Sequence, residues 1–230
     1  MRILAFDTSG SWCSVALLDD ATTVQREEAV GNAHSERLLP MINALLHDAG
    51  AALHTVDVIA FGAGPGSFTG VRIAASVAQG LALGLDRRAI GVCTLEAVAE
   101  EAHCQHGSGR VVACTDARMQ EIYVAGYERA AGNWREVMPP VALKPGALEP
   151  PLGEGWIGCG NGFTAYPELA SQLGLGTVMP EMHATGRAIA AIARTRTSTS
   201  ETDDPALALP LYVRHRVALT TAEREAGARL

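Results

Sequence analysis

Apolar and polar positions alternate in blocks along this chain. Ile3–Phe6 is a short apolar run, Asp7-Thr8-Ser9-Gly10-Ser11 is turn chemistry, and Cys13–Leu18 resumes as a strand before Asp19-Asp20 turns the chain again. From Ser35 onward, Leu38, Leu39, Ile42, Leu45, Leu46 and Ala49 recur at helical spacing, with Gly50 as the stop and Pro40 in the opening turns or at a kink. Ser35 reads as the cap of this helix and Glu36 as a carboxylate near its positive end. Val56–Phe61 predicts a strand, FGAGPGSFTGVR a loop, Val71–Leu83 a helix, Ala89–Cys93 a strand, and Thr94–Ala102 a helix capped by Thr94. Strands alternating with helices predict an α/β protein with a mostly parallel sheet, begun by a hairpin.

The pattern breaks at Gln105–Gly109 and then repeats. Arg110-Val-Val-Ala-Cys-Thr-Asp116 ends an apolar run in an aspartate, as Met1-Arg-Ile-Leu-Ala-Phe-Asp7 does. A second strand opens after each, and Ile157-Gly-Cys-Gly160-Asn-Gly162 echoes Ile59-Ala-Phe-Gly62-Ala-Gly64. A period near 100 residues is too long for a solenoid and fits a duplicated domain. The expected division is an N-terminal lobe over 1–106, a C-terminal lobe over 107–214, and a charged tail over 215–230 that can fray.

Composition narrows the reading. The 230 residues suffice for one large domain or two of about 100. With 48% hydrophobic residues the chain is too apolar for disorder, and its net charge of -7 makes any contact with RNA local or shared with a partner. No run of 18 apolar residues occurs, and an acidic residue interrupts the N-terminus, so neither a membrane span nor a leader peptide is expected. Five scattered cysteines without a CxxC pair read as reduced thiols of a cytoplasmic protein. The single lysine, Lys144, precedes a proline in a loop and is discounted for Schiff-base or phosphate chemistry.

The glycine loop invites a phosphate reading but matches neither familiar pattern. No glycine-lysine pair exists for a Walker loop, and Ser67 holds the third glycine position of a dinucleotide fingerprint. Two readings stand: Gly64 and Gly66 let a phosphate approach the backbone ahead of a helix N-terminus, or the glycines only make tight turns. Asp7, with Thr8 and Ser9, reads either as half of a two-lobed clamp for hydrated Mg²⁺ and phosphate, with Asp116 its mate across a cleft, or as turn chemistry. His34 lacks a second histidine one helical turn on, where Leu38 stands, and the run His103-Cys104-Gln105-His106 shows no second ligand pair. No GxSxG elbow is present. The Val71–Leu83 helix is apolar around most of its circumference and so is buried by its own domain or by a partner.

In order, LAFDTSGSWCSVAL, HSERLLPMINALL, IAFGAGPGSFTGVRIAASVAQGLALGL, GVCTLEAVA, DARMQEIYVA and PLYVR closely resemble the TsaB (YeaZ) family over roughly Arg2 to Arg214. The resemblance implies an actin-like ATPase fold of two duplicated lobes, shared with sugar kinases and heat-shock chaperone ATPases. It also implies a part in forming N6-threonylcarbamoyladenosine at position 37 of tRNAs that read codons beginning with A. There the family binds a transferase paralogue, TsaD, which a small ATPase, TsaE, joins. Members pair, with themselves when alone, through helices that here place Leu38, Ile42, Leu45, Ile73, Ala74, Val77, Ala78 and Leu81 at the interface. The catalytic paralogue carries two metal-binding histidines at i, i+4. This chain keeps the first as His34 and has Leu38 at the second, which implies a degenerate metal position, no metal and no catalysis by this chain alone. ATP or ADP with Mg²⁺ at a shared interface remains an expectation, as does tRNA held indirectly through the complex. The alternatives are an ATP-dependent phosphotransferase of the same fold, a metal-dependent hydrolase of the glycoprotease type, and a non-enzymatic homodimer unconnected to tRNA.

Overall fold

The computed structural model describes residues 1–150, 153–197 and 204–214. The segment 215–230, expected as a charged tail, lies outside the described residues, as do residues 151–152 and 198–203. Strands β1 (Arg2–Asp7), β2 (Trp12–Asp19) and β3 (Thr22–Ala29) form an antiparallel meander. Helix α1 (His34–Asp48) leads to β4 (Val58–Gly64), then α2 (Phe68–Leu85), β5 (Arg88–Cys93) and α3 (Thr94–His106). A second meander, β6 (Arg110–Arg118), β7 (Glu121–Ala130) and β8 (Asn133–Leu143), precedes β9 (Ile157–Cys159), the short helices α4 (Gly162–Ala165) and α5 (Glu168–Gln172), β10 (Val178–Met179) and α6 (Gly186–Arg196).

The two halves repeat one topology. The first sheet runs β3-β2-β1-β4-β5, and the second, read from its far edge, runs β8-β7-β6-β9-β10. In each, the first two pairings are antiparallel and the last two parallel.

The period-2 alternation of β1 explains the layering. Leu4 and Phe6 face a core with Leu38 and Ile42 of α1 and Ala74 and Ala78 of α2. Ile3 and Ala5 face the opposite way, into a core with Leu95 and Val98 of α3, Ile189 of α6 and Val111 and Ala113 of β6. Helices α3 and α6 thus form a layer between the sheets, and α6, from the second half, packs on β1, β2 and β4. A third core, with Val112, Ile122, Phe163 and Leu169, lies on the outer face of the second sheet beside α4 and α5.

Three local expectations are corrected. Helix α1 starts at His34 after Ala33 with no side-chain cap, so Ser35 does not cap it. Thr94 is already helical, and its hydroxyl donates to the Pro65 carbonyl at 2.5 Å instead of capping α3. Helix α2 begins three residues before Val71, because Ser67 Oγ accepts from the Gly70 amide and caps it. By length and composition alone α2 is long and apolar enough to cross a membrane. In this fold its Ala74–Ala78–Ala82 stripe is buried, while Arg72, Ser76, Gly80 and Leu83 are exposed, so its own chain does not bury it all round.

The middle layer carries three buried carboxylates that hydrophobic patterning does not predict. Glu96 pairs with Arg196 of α6. Glu100 receives Arg129 at 2.5 Å and the Trp134 indole at 2.7 Å, both from the second meander. Glu101 is 2% exposed and accepts from Thr185 Oγ1 at 2.6 Å, from Gln105 at 2.6 Å and from Arg187. Removing one partner of such a pair strands the other. Glu101→Ala is expected to lower unfolding free energy by about 3 kcal/mol in urea titration, against less than about 0.5 kcal/mol for the exposed Glu36→Ala.

Candidate functional site

The turn after β1 and the loop after β4 interlock residue by residue. Asp7 is 2% exposed, and its Oδ2 accepts the Ser9 amide at 2.9 Å and the Ser9 hydroxyl at 2.8 Å. A Cβ on Gly62 would stand 1.9 Å from Asp7 Oδ1, one on Gly66 2.6 Å from the Ser9 carbonyl, and one on Gly70 1.9 Å from the Thr8 carbonyl. Thr8 Oγ1 donates to the Gly70 carbonyl at 2.7 Å, and the Ser67 amide donates to the Ser9 carbonyl at 2.7 Å. Three of the loop glycines therefore each make room for one residue of the turn. The hydroxyl of Thr8 and both donors of Ser9 are engaged within this interlock.

Burial lifts the Asp7 carboxyl to about 6, against the opposing pull of the Ser9 amide and hydroxyl. Its Oδ1 has no hydrogen-bond partner among the described residues and faces Gly62. Asp116 is not its mate. Thr115, Ala117 and Arg118 of β6 line the cleft and Asp116 does not, since Cys114 and Val112, two and four residues before it, face the outer core. The Asp116 carboxylate accepts the Arg118 amide at 2.9 Å and pairs with the Arg118 guanidinium at 3.2 Å, while its amide donates to Asn161 Oδ1. One buried carboxylate, with one oxygen engaged by Ser9 and the other against Gly62, is a poor fit for chelated Mg²⁺ and its nucleotide. No cluster of three metal-capable side chains occurs among the described residues.

His34 is 4% exposed, with Nε2 against the Gly10 carbonyl at 2.9 Å, so it steadies the turn while Leu38 packs in the core. His103 bonds the Ser108 carbonyl through Nδ1 at the end of α3. Leu38, Ile42, Leu45, Ala74 and Ala78 also differ from expectation as interface residues: each is at most 2% exposed within the chain's own core. Ile73, Val77 and Leu81 sit half-buried at the margin of that core.

Two cavities between the halves border the Asp7–Ser9 turn. The smaller, about 280 Å³, is lined by Asp7, Thr94, Thr115, Glu181 and His183 among others. The sequence reading missed its wall: His183 stacks on Trp12 with ring centroids 5.0 Å apart and meets Glu27 at 3.1 Å. Burial works against both charges, but their contact prevails, holding His183 above its usual range and Glu27 below. The larger cavity, about 710 Å³, lies between Ser9–Ser11, Pro65–Phe68, the β6–β7 turn and Leu211–Arg214. The PLYVR segment closes one side of it. The Leu211 amide donates to the Ala63 carbonyl at 2.7 Å, and Arg214 meets Glu121 at 2.7 Å.

Duplicated five-stranded sheets of one order around a central cleft define the actin-like ATPase fold. Residues 18–209 match the family described as TsaD: tRNA N6-adenosine threonylcarbamoyltransferase. The tRNA threonylcarbamoyladenosine biosynthesis protein TsaB of Escherichia coli is 43% identical over 180 residues, 76% of this chain and 78% of that one. The TsaB of Haemophilus influenzae is 38% identical over 181 residues, 75% of this chain and 77% of that one. The solved structure of YeaZ from Pseudomonas aeruginosa superposes with a TM-score of 0.87 at 38% identity, covering 92% of this chain and 99% of its own. The chain belongs to the TsaB (YeaZ) family.

Two measurements test the interlock. Gly62→Ala is expected to destabilise the protein by about 3 kcal/mol, and by much less in an Asp7→Ala background; additive costs would contradict the contact. Because the folded Asp7 carboxyl titrates at about 6 against an ordinary 3.8, its ionised form is penalised in the fold. That penalty is absent below about pH 4, grows as pH rises, and is complete above about pH 6, where it reaches about 3 kcal/mol. Asp7→Asn should therefore raise the melting temperature at pH 7.5 and leave it unchanged near pH 4.

Proposed function

We propose that this chain is the non-catalytic partner subunit that binds and activates a TsaD transferase in forming N6-threonylcarbamoyladenosine on tRNA. The observation that carries the docking surface is the outer face of α2. Ser76, Gly80 and Gly84 stand exposed there at helical spacing, and a Cβ on either glycine would meet nothing within 4 Å. Gly80 lies in the helix interior, where glycine costs about 1 kcal/mol relative to alanine, and Gly84 lies in the last turn. Nothing inside the chain requires either, whereas a helix approaching from a partner does. Ile73, Val77 and Leu83 share that face, and Leu83 is 62% exposed.

TsaE joins the assembled pair, and when this chain is alone the same face pairs two copies of it. tRNA is held by the complex, and the reaction takes place in the cytoplasm. Any ATP or ADP with Mg²⁺ lies at the interface with the paralogue and not at Asp7, whose buried carboxylate is a poor fit for it. The phosphotransferase and hydrolase readings are not favoured, since Asp7 lacks a mate across the cleft and His34 lacks its second ligand.

Ala78 is fully buried, so Ala78→Glu would unfold the protein instead of testing the interface. Gly80→Glu is the sound variant: it should keep the monomer's melting curve and weaken complex formation with TsaD at least about a hundredfold. Reconstitution with the threonylcarbamoyl-AMP synthase, TsaD, TsaE, ATP, threonine, bicarbonate and unmodified tRNA checks the reading directly. Modified adenosine should form only when this chain is present; equal yield without it would overturn the assignment.

A further inference from the structure

We infer that the rim of the larger cavity is a direct contact for an unpaired residue of RNA. This goes beyond the reading above, in which tRNA reaches the chain only through the complex. The first observation is charge. No Asp or Glu lines the 710 Å³ cavity among the described residues, although acidic residues outnumber basic ones in the chain. The neighbouring smaller cavity has both Asp7 and Glu181 in its wall. The larger cavity instead presents Arg118 and Arg214 with Phe68, Tyr123 and Tyr212.

The second observation is the exposed aromatic rim. Phe68 is 50% and Tyr212 53% exposed, in a chain that is only 5% aromatic. The Arg72 guanidinium lies 3.5 Å from the Phe68 ring centroid and 5.7 Å from that of Tyr212, and Arg72 Nε donates to the Tyr212 hydroxyl at 2.9 Å. No carboxylate pairs with Arg72 among the described residues, whereas Arg214 is paired to Glu121 and Arg118 to Asp116. Aromatic faces interleaved with arginine are the platform on which unpaired bases stack, with the guanidinium meeting the phosphate. Arg118, 85% exposed at its side chain and paired with Asp116, also lines this cavity.

The third observation separates a polymer residue from a free polyphosphate. The Ser9 amide and hydroxyl donate to Asp7, the Thr8 hydroxyl to the Gly70 carbonyl and the Ser67 amide to the Ser9 carbonyl, and no carboxylate lines this cavity among the described residues to hold Mg²⁺. A nucleotide residue carrying one phosphate makes no demand on them. A volume of about 710 Å³ lies within the span of small-molecule sites.

The test is fluorescence anisotropy with a labelled RNA hairpin carrying an unpaired loop, a fully paired RNA duplex of equal length, and AMP as competitor. It is run on the full chain and on its complex with TsaD. The hairpin should bind and the duplex should not, with a shallow salt slope of about -1 in log K against log salt. Phe68→Ala and Tyr212→Ala should each weaken hairpin binding about tenfold while leaving TsaD binding intact. Arg118→Glu, at an exposed position that does not threaten folding, should do the same. Equal binding of the duplex, unchanged affinity in all three variants, or displacement by AMP as effectively as by unlabelled hairpin would overturn the inference. Loss of TsaD binding in the aromatic variants would also overturn it, by making the rim a protein interface. Failure of the partner-subunit reading shows separately, as product formed without this chain.

Discussion

The pairing of three glutamates on one helix with arginines from the second half holds the two halves in one relation. Glu96, Glu100 and Glu101 of α3 lie in the layer between the sheets and meet Arg196, Arg129 and Arg187. A carboxylate is costly to bury alone, so each contact is tolerated only while the two halves remain docked. Apolar packing of Leu95, Val98 and Ile189 supplies the bulk of the attraction in this layer. The ion pairs add orientation: α6 must present Arg187 and Arg196 to α3, one near each end. Because α6 also packs on β1 and β2, the same docking sets the second half against the strand that ends at Asp7.

From that fixed point the cleft follows by steric necessity. The Asp7–Ser9 turn lies directly against the loop after β4, and only glycine at 62, 66 and 70 lets the backbones approach that closely. The glycines are therefore required by packing whether or not a ligand ever enters. A phosphate loop would keep its amides free for an anion. Here the Ser67 amide is bonded to the Ser9 carbonyl, and the Gly70 amide to Ser67 Oγ.

Much of this was legible from residue patterns and some was not, for physical reasons. The repeated strand-aspartate and glycine echoes correctly signalled duplicated topology, because strand ends and tight turns are local properties. Asp7 and Asp116 look equivalent in the chain, yet they face differently, since a strand's facing changes with every residue and a one-residue offset reverses it. The α3 carboxylates were invisible as core because burial of a charge depends on a partner about 30 to 100 positions away. The apolar circumference of α2 suggested burial all round; position-specific exposure, not composition, distinguishes Ala74 and Ala78 from Gly80 and Gly84.

Function is best sought where the chain bears a cost that nothing within it offsets. By that criterion the glycine loop is weak ground, since each close approach there is explained by a neighbour in the same chain. Asp7 carries a burial penalty, but its Ser9 contacts and the room left by Gly62 account for its placement. The outer face of α2 is different: Gly80 weakens the helix interior, and neither it nor Gly84 fills a tight contact. Phe68 and Tyr212 likewise leave aromatic surface in water beside an arginine that no carboxylate neutralises among the described residues. Both features border one helix, Phe68 at its first turn and Gly84 at its last. A single rigid element thus presents a close-approach surface along its length and a stacking platform at its N-terminal end, so a partner docked on α2 would sit beside whatever the rim holds.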